Sequence, residues 1–165
     1  MTTSTPDNNR SGIFVSEPVY LDINKLENEF YRADIEIYGV DHSGPSYEGR
    51  IFLNNVKADK DTELNEKNGY VGSYHIFGHG GCVGNLGHCD LIPQRTPYDK
   101  RPSQDLRPQY KRITITDSLK QMGKDTNKFN ITIVPVLYGE DSHLDLAKEK
   151  KIVKFDKIGI ITYDS

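Results

Sequence analysis

The chain has no tryptophan, only two methionines and only two cysteines among its 165 residues. Two cysteines seven positions apart cannot make a disulfide scaffold, so their role has to be read from their surroundings. No apolar run approaches the roughly 20 residues that a membrane-spanning helix needs, and a mean hydropathy of -0.65 agrees with a water-soluble chain. No run of lysine and arginine suggests a polyanion partner, and the formal net charge of -3, with a pI near 5.9, gives no general attraction to one. Neither a membrane nor a nucleic acid is expected as a partner. Met1 to Ser11 lacks the basic and apolar regions of a secretory signal, so the expected location is cytoplasmic by default. There is no glycine-rich phosphate loop ending in Lys-Ser/Thr and no Gly-x-Ser-x-Gly elbow, which removes two large enzyme classes.

Strand patterning is what the chain has instead. Residues 1–11 are polar and cannot bury enough apolar surface to offset their ordering entropy, so they are expected as a disordered tail ahead of one domain over 12–165. Ile13-Phe14-Val15 and Val19-Tyr20-Leu21 flank Pro18, which suggests a strand broken by proline. From Tyr31 to Val40 the residues alternate: Tyr31, Ala33, Ile35 and Ile37 on one face, Arg32, Asp34 and Glu36 on the other. Tyr47–Asn54, Tyr70–Phe77, Tyr110–Ile115, Asn130–Tyr138 and Ile152–Tyr163 read as further strands, the last with a break at Gly159. One short helix begins at Thr116, where Thr116, Asp117 and Ser118 can cap free N–H groups and Gly123 can end it. Strands without alternating helices predict an all-β fold, an antiparallel β-sandwich of jelly-roll-like type with that single helix. Its expected interior is Ile35, Ile37, Ile51, Leu53, Ile113, Ile115, Ile131 and Ile133.

Two connections exceed what a compact sandwich needs. Asn54 to Asn68 is strongly charged and ends in the turn signal Asn68-Gly69. Its carboxylates, among them Asp59, Asp61, Glu63 and Glu66, read as solvated surface. Gly78 to Gln109 holds four of the eight prolines and no period of its own, and loops of that length usually carry function or are disordered. Across it and the strand before it lie His75, His79, Cys82, His88 and Cys89. Intervening glycines let the backbone fold back, and imidazole with thiolate suits copper, with zinc as the alternative. The other readings of the same residues are a Cys82–Cys89 disulfide, or buried thiols with hydrogen-bonded histidines. On alternation, His75 shares a face with Val71, Ser73 and Phe77, which also allows a core histidine.

An ordered series of segments carries a family resemblance. Tyr47-Glu-Gly-Arg-Ile-Phe-Leu-Asn-Asn55, Gly69-Tyr-Val-Gly-Ser-Tyr-His-Ile-Phe77, Ile113-Thr-Ile-Thr-Asp-Ser-Leu119 and Phe129-Asn-Ile-Thr-Ile-Val-Pro-Val136 together resemble the C-terminal domain of tyrosinases and polyphenol oxidases. Gly-His-Gly-Gly-Cys at 78–82 resembles the bacterial version. The resemblance spans roughly 30–138 and leaves 140–165 unassigned. It implies a β-sandwich that shields a dicopper active site held in a separate helical domain, and cysteines that deliver copper. The helical part is not in this chain, and five histidines cannot fill two three-histidine copper sites. The expectation is therefore an accessory domain, not an enzyme on its own, whose partner is a helical dicopper oxidase domain or subunit. Phe77, Leu86, Leu91, Ile92 and Tyr98 are the candidates to plug the partner's site. The competing functions are a self-contained metal-binding or redox-sensing sandwich and a structural interaction domain.

Overall fold

A computed structural model describes residues 12–21, 30–78, 98, 107–122, 126–138 and 152–164. The strands are β1 (Phe14–Val15), β2 (Val19–Tyr20), β3 (Phe30–Val40), β4 (Tyr47–Leu53), β5 (Tyr70–Ile76), β6 (Gln109–Thr114), β7 (Lys128–Phe129), β8 (Ile131–Leu137) and β9 (Lys157–Asp164). One α-helix, α1 (Thr116–Met122), follows β6. A four-stranded sheet runs β1-β8-β4-β5, a three-stranded sheet runs β6-β3-β9, and β2 pairs with β7. Every pairing among the described residues is antiparallel.

The two larger sheets share one core, which makes the fold the expected all-β sandwich. Phe14, Tyr47, Ile51, Leu53, Tyr74, Ile76, Ile131 and Ile133 from the four-stranded sheet pack in one cluster with Ala33, Ile35, Ile37, Ile113 and Ile158 from the other. All eight interior residues expected from alternation are buried. Leu119 docks α1 on this core. The Thr116 hydroxyl accepts the N–H of Ala33 at 3.0 Å, so the helix start is tied to β3. Pro135 lies on β8 beyond the two residues paired with β1, where β8 has a neighbour on one side only and a missing N–H is tolerated.

The charged connection after β4 is held locally. Ala58 packs with Phe52 and Val134 on the outer side of the four-stranded sheet. The Asn65 side chain caps a 3-10 turn at Glu66–Asn68, and Gly69 adopts φ 78°, the left-handed conformation that the Asn-Gly signal promised. Any side chain at Gly69 would also run into the Leu53 carbonyl.

Three readings need correction. Gly159 does not break its strand, because it pairs with Glu36 in the middle of the β3–β9 ladder. That strand begins at Lys157; Ile152 and Val153 before it are buried as part of the core without belonging to a sheet. Tyr31 is 61% exposed, since the register shift between Phe30 and Arg32 takes it out of the alternation that buries Ala33, Ile35 and Ile37.

Candidate functional site

One end of the sandwich gathers both ends of the Gly78–Gln109 connection and the residues that flank 139–151. Gly78 follows β5 and donates its N–H to the Ser46 hydroxyl at 3.0 Å. A side chain there would meet the carbonyls of Gly44 and Pro45, so this approach requires glycine. The stretch 107–108 returns beside it, where the Arg107 carbonyl lies 3.0 Å from His42 Nε2. A carbonyl only accepts, so Nε2 carries the proton. Leu137 at the end of β8 pairs with Tyr47, and the Lys154 carbonyl accepts the Asp41 N–H at 3.0 Å. The Lys154 ammonium also lies 3.5 Å from the Asp41 carboxylate. Burial would raise the Asp41 pKa, but the Ser43 N–H and hydroxyl and the Lys154 charge outweigh it and hold it below the usual aspartate range.

At this end Phe77 is 82% exposed, a large apolar side chain standing in solvent one residue beyond β5. Tyr98 is 91% exposed. Of the remaining candidate plugs, Leu86, Leu91 and Ile92 lie outside the described residues. Among the candidate metal ligands Cys82, Cys89, His79 and His88 also lie outside them, and His75 alone is placed.

His75 is not a core histidine. It is exposed on the outer face of the four-stranded sheet, while Tyr74 and Ile76 on either side of it are buried. A bulge rules out the core alternative. The register between β4 and β5 shifts at Ile51/Phe52, and Gly72 there has φ 142°, so Val71 still packs against the core while Ser73, His75 and Phe77 fall on the outer phase. The residue opposite His75 is Glu48, whose carboxylate accepts from Tyr138 at 2.5 Å and Arg50 at 2.9 Å. Burial would raise the Glu48 pKa, but the hydroxyls of Tyr138 and Ser73 and the Arg50 guanidinium lower it below the ordinary value. With these groups already holding Glu48, His75 stands as one imidazole, and no group of three or more His, Cys, Asp or Glu poised for a metal occurs among the described residues.

A second constellation escaped the sequence reading. The face of β3 read as solvent-facing carries Asp34, fully buried, and Glu36, 5% exposed. The Asp34 carboxylate lies 2.8 Å from Arg32 and 3.7 Å from Arg112. Glu36 accepts the hydroxyls of Tyr38 and, at 2.7 Å, Tyr163. Burial alone would raise the Glu36 pKa, but Tyr38, Tyr163 and Tyr110, with the charge of Arg112, bring it below the usual glutamate range. The converse holds for the phenols: the Glu36 carboxylate raises Tyr38 and Tyr163, while desolvation and then Glu36 push Tyr110 up to about 12. Alternating charge on a strand reads as solvated, and the partners that bury these two carboxylates come from β6 and β9. The available signal was the tyrosine and arginine content of those two strands at positions facing the same side.

This sandwich is the kind of fold found as one part of a polyphenol oxidase. Among solved structures, recombinantly expressed latent aurone synthase, a polyphenol oxidase, is similar over 98% of this chain and 26% of its own, with TM-score 0.53 and 14% sequence identity. Latent aurone synthase from its natural source is similar over the same shares with TM-score 0.51 and 15% identity. The chain thus spans about a quarter of the length of the structures it matches, and at such identity the likeness is one of fold. No protein-family model matches the chain. No curated protein matches it either.

Proposed function

We propose that this chain is an accessory domain of a tyrosinase-like dicopper oxidase, which covers the oxidase's substrate opening and supplies copper through its Cys/His loop. The observation that carries this reading is the fold match: nearly the whole chain corresponds to about a quarter of enzymes described as latent, which is compatible with an accessory domain. The ordered motif series from Tyr47 to Val136 points the same way. Phe77 supports the covering role, because a phenylalanine 82% exposed at the end where the long loop begins is an apolar group available to a partner's pocket. In this reading the chain does not itself oxidise phenols. Cys82 and Cys89, helped by one or more of His75, His79 and His88, hold copper as Cu(I), for which thiolate is the matched soft ligand. Zinc is the alternative ion.

The test is to purify the chain with whatever it binds in its native source, then add it back in increasing amounts to that partner's oxidase activity. A dicopper oxidase should co-purify, and catechol oxidation should fall as the domain is added. Phe77→Ala should weaken the inhibition at least several-fold. Failure to find such an oxidase, or unchanged oxidation over a wide concentration range, refutes the covering role.

A further inference from the structure

The solvent side of the three-stranded sheet is a grid of four rows by three strands. Register places Lys157 opposite Tyr38, and the Tyr110 ring lies 5.0 Å from that of Tyr38 across the irregular end of the β3–β6 ladder, completing one row. The next row is Gly159, Glu36 and Arg112; then come Ile161, Asp34 and Thr114, and finally Tyr163 with Arg32. Tyr163 therefore starts opposite Arg32 and yet its hydroxyl reaches Glu36, four residues along β3. Four residues of strand span about 13 Å, so Tyr163 and Glu36 must lie along the sheet towards each other rather than stand off it. Arg32 lies 5.6 Å from the Tyr163 ring centre, and Lys157 lies 4.4 Å from that of Tyr38.

What this face shows to solvent differs from what it contains. Both carboxylates are covered, whereas the side chains of Arg32 and Arg112 keep 32% and 48% of their surface and Tyr110 keeps 47%. The exposed chemistry is then three cations and three tyrosines, with Ile161 the one aliphatic residue in the grid. At Gly159 a side chain would meet nothing within 4 Å, so the floor beside Glu36 is open backbone. Protein interfaces are built round an apolar centre, which this grid lacks. Flat phenol rings held by their hydroxyls offer instead a preformed platform for the C–H faces of pyranose rings. Arg32 already commits its Nε and one Nη to Asp34, whereas the half-exposed Arg112 guanidinium, whose Nε lies 3.7 Å from Asp34, keeps donors that can match a carboxylate two bonds at a time.

We propose that this face binds an acidic oligosaccharide, with sugar rings on Tyr110 and Tyr163 and the sugar carboxylates on Arg112 and Lys157. Asp34 and Glu36 act as positioning residues: they hold the guanidinium groups and phenols in place, so that little side-chain freedom is lost on binding. The site faces away from the outer side of the four-stranded sheet that carries His75 and Phe77, and it does not depend on the oxidase reading.

The experiment is calorimetric titration of the full chain with oligogalacturonate, with a neutral xylo-oligosaccharide of equal length, and with polyglutamate of equal charge. Saturable binding is expected for oligogalacturonate, with at least tenfold weaker binding of the other two. Tyr110→Ala and Lys157→Gln should each weaken oligogalacturonate binding at least fivefold while their melting temperatures stay near that of the parent chain. Absence of saturable binding overturns the proposal. So does equal binding of polyglutamate, which would make the face a general cationic patch, and so does unaltered binding by both variants when they remain folded.

Discussion

Replacing Gly49 by alanine probes the packing that fixes strand β5 and, with it, the phase of His75 and Phe77. Gly49 lies opposite Tyr74, whose ring covers the bare backbone of β4. A β-carbon at residue 49 would lie 2.5 Å from Tyr74 Cε1 and 2.8 Å from its hydroxyl oxygen, and closer still to Cζ. Ordinary contact begins near 3.4 Å, so the ring or the strand has to move by about 1 Å to clear Cζ. Tyr74 is 5% exposed and stands edge-on to the buried Tyr47 at 6.0 Å, which leaves the ring no free direction. Overpacking of this kind costs about 1–3 kcal/mol, offset by about 0.4–1 kcal/mol from the lower entropy of the unfolded alanine chain. A net loss centred near 1.5 kcal/mol should lower the melting temperature by roughly 3–6 °C for a domain of this size. Differential scanning calorimetry of Gly49→Ala measures it, with Gly44→Ala as the control because a side chain there meets nothing within 4 Å. In the Tyr74→Leu background the same Gly49→Ala change should cost far less, since the clashing ring has gone. Unchanged stability of Gly49→Ala, or an equal loss in the two backgrounds, would refute the assignment of Tyr74 over Gly49.

Stability should fall in acid. Glu36, Glu48 and Asp41 are all held below their ordinary values, so their stabilisation is present above the unfolded pKa values near 4 and lost as pH falls through the folded ones. Urea midpoints at pH 7, 4 and 3 should decrease in that order, and a midpoint independent of pH would contradict the buried carboxylate clusters. The alkaline side carries the opposite case: Tyr47, by burial, and Tyr110 are pushed up to about 12, so their contribution is complete below about 10 and is lost as pH rises through about 12. For copper, reduced chain titrated with Cu(I) against a competing chelator should bind one ion, and the Cys82→Ser/Cys89→Ser double variant should bind far more weakly. Equal, weak binding by the two would remove the copper role.

Alternation made the interior legible and left the outer faces unread. Each expected core isoleucine has its period-2 neighbours on the same strand, so Ile35 with Ile37 and Ile131 with Ile133 could be assigned from local sequence alone. Glu36 could not. Its burial depends on Tyr110 and Tyr163, 74 and 127 residues away in sequence, and nothing in Arg-Ala-Asp-Ile-Glu-Ile announces partners so distant. Gly159 misled for the opposite reason: its local signal is that of a break, yet the strands on both sides of it pair continuously with β3, and glycine there simply leaves the outer face open. The core alternative for His75 fails at Gly72, where the bulge resets the phase and puts Val71 and His75 on opposite faces.

The proposed copper ligands rest on spacing and the proposed plug on size, and both ends of the loop that carries Cys82 and Cys89 lie at the end of the sandwich that presents Phe77. Phe77 and Gly78 stand at the head of the loop that carries Cys82 and Cys89, and Gly78 is tied to Ser46. Arg107, near the loop's other end, is tied to His42 in the same β3–β4 connection. Both ends of the loop are therefore fixed to residues 42–46, and its reach is measured from the same end of the sandwich that presents Phe77. If Phe77 occupies the opening of an oxidase, the loop starts and finishes beside that opening. A copper-loaded loop would then be delivered by the same docking event that closes the site. Covering and metallation would be coupled by geometry: Phe77→Ala should weaken copper transfer to the apo-oxidase together with inhibition, even though residue 77 contributes no ligand. Loss of inhibition with transfer rates unchanged would separate the two roles and place the loop's delivery at a different docked position.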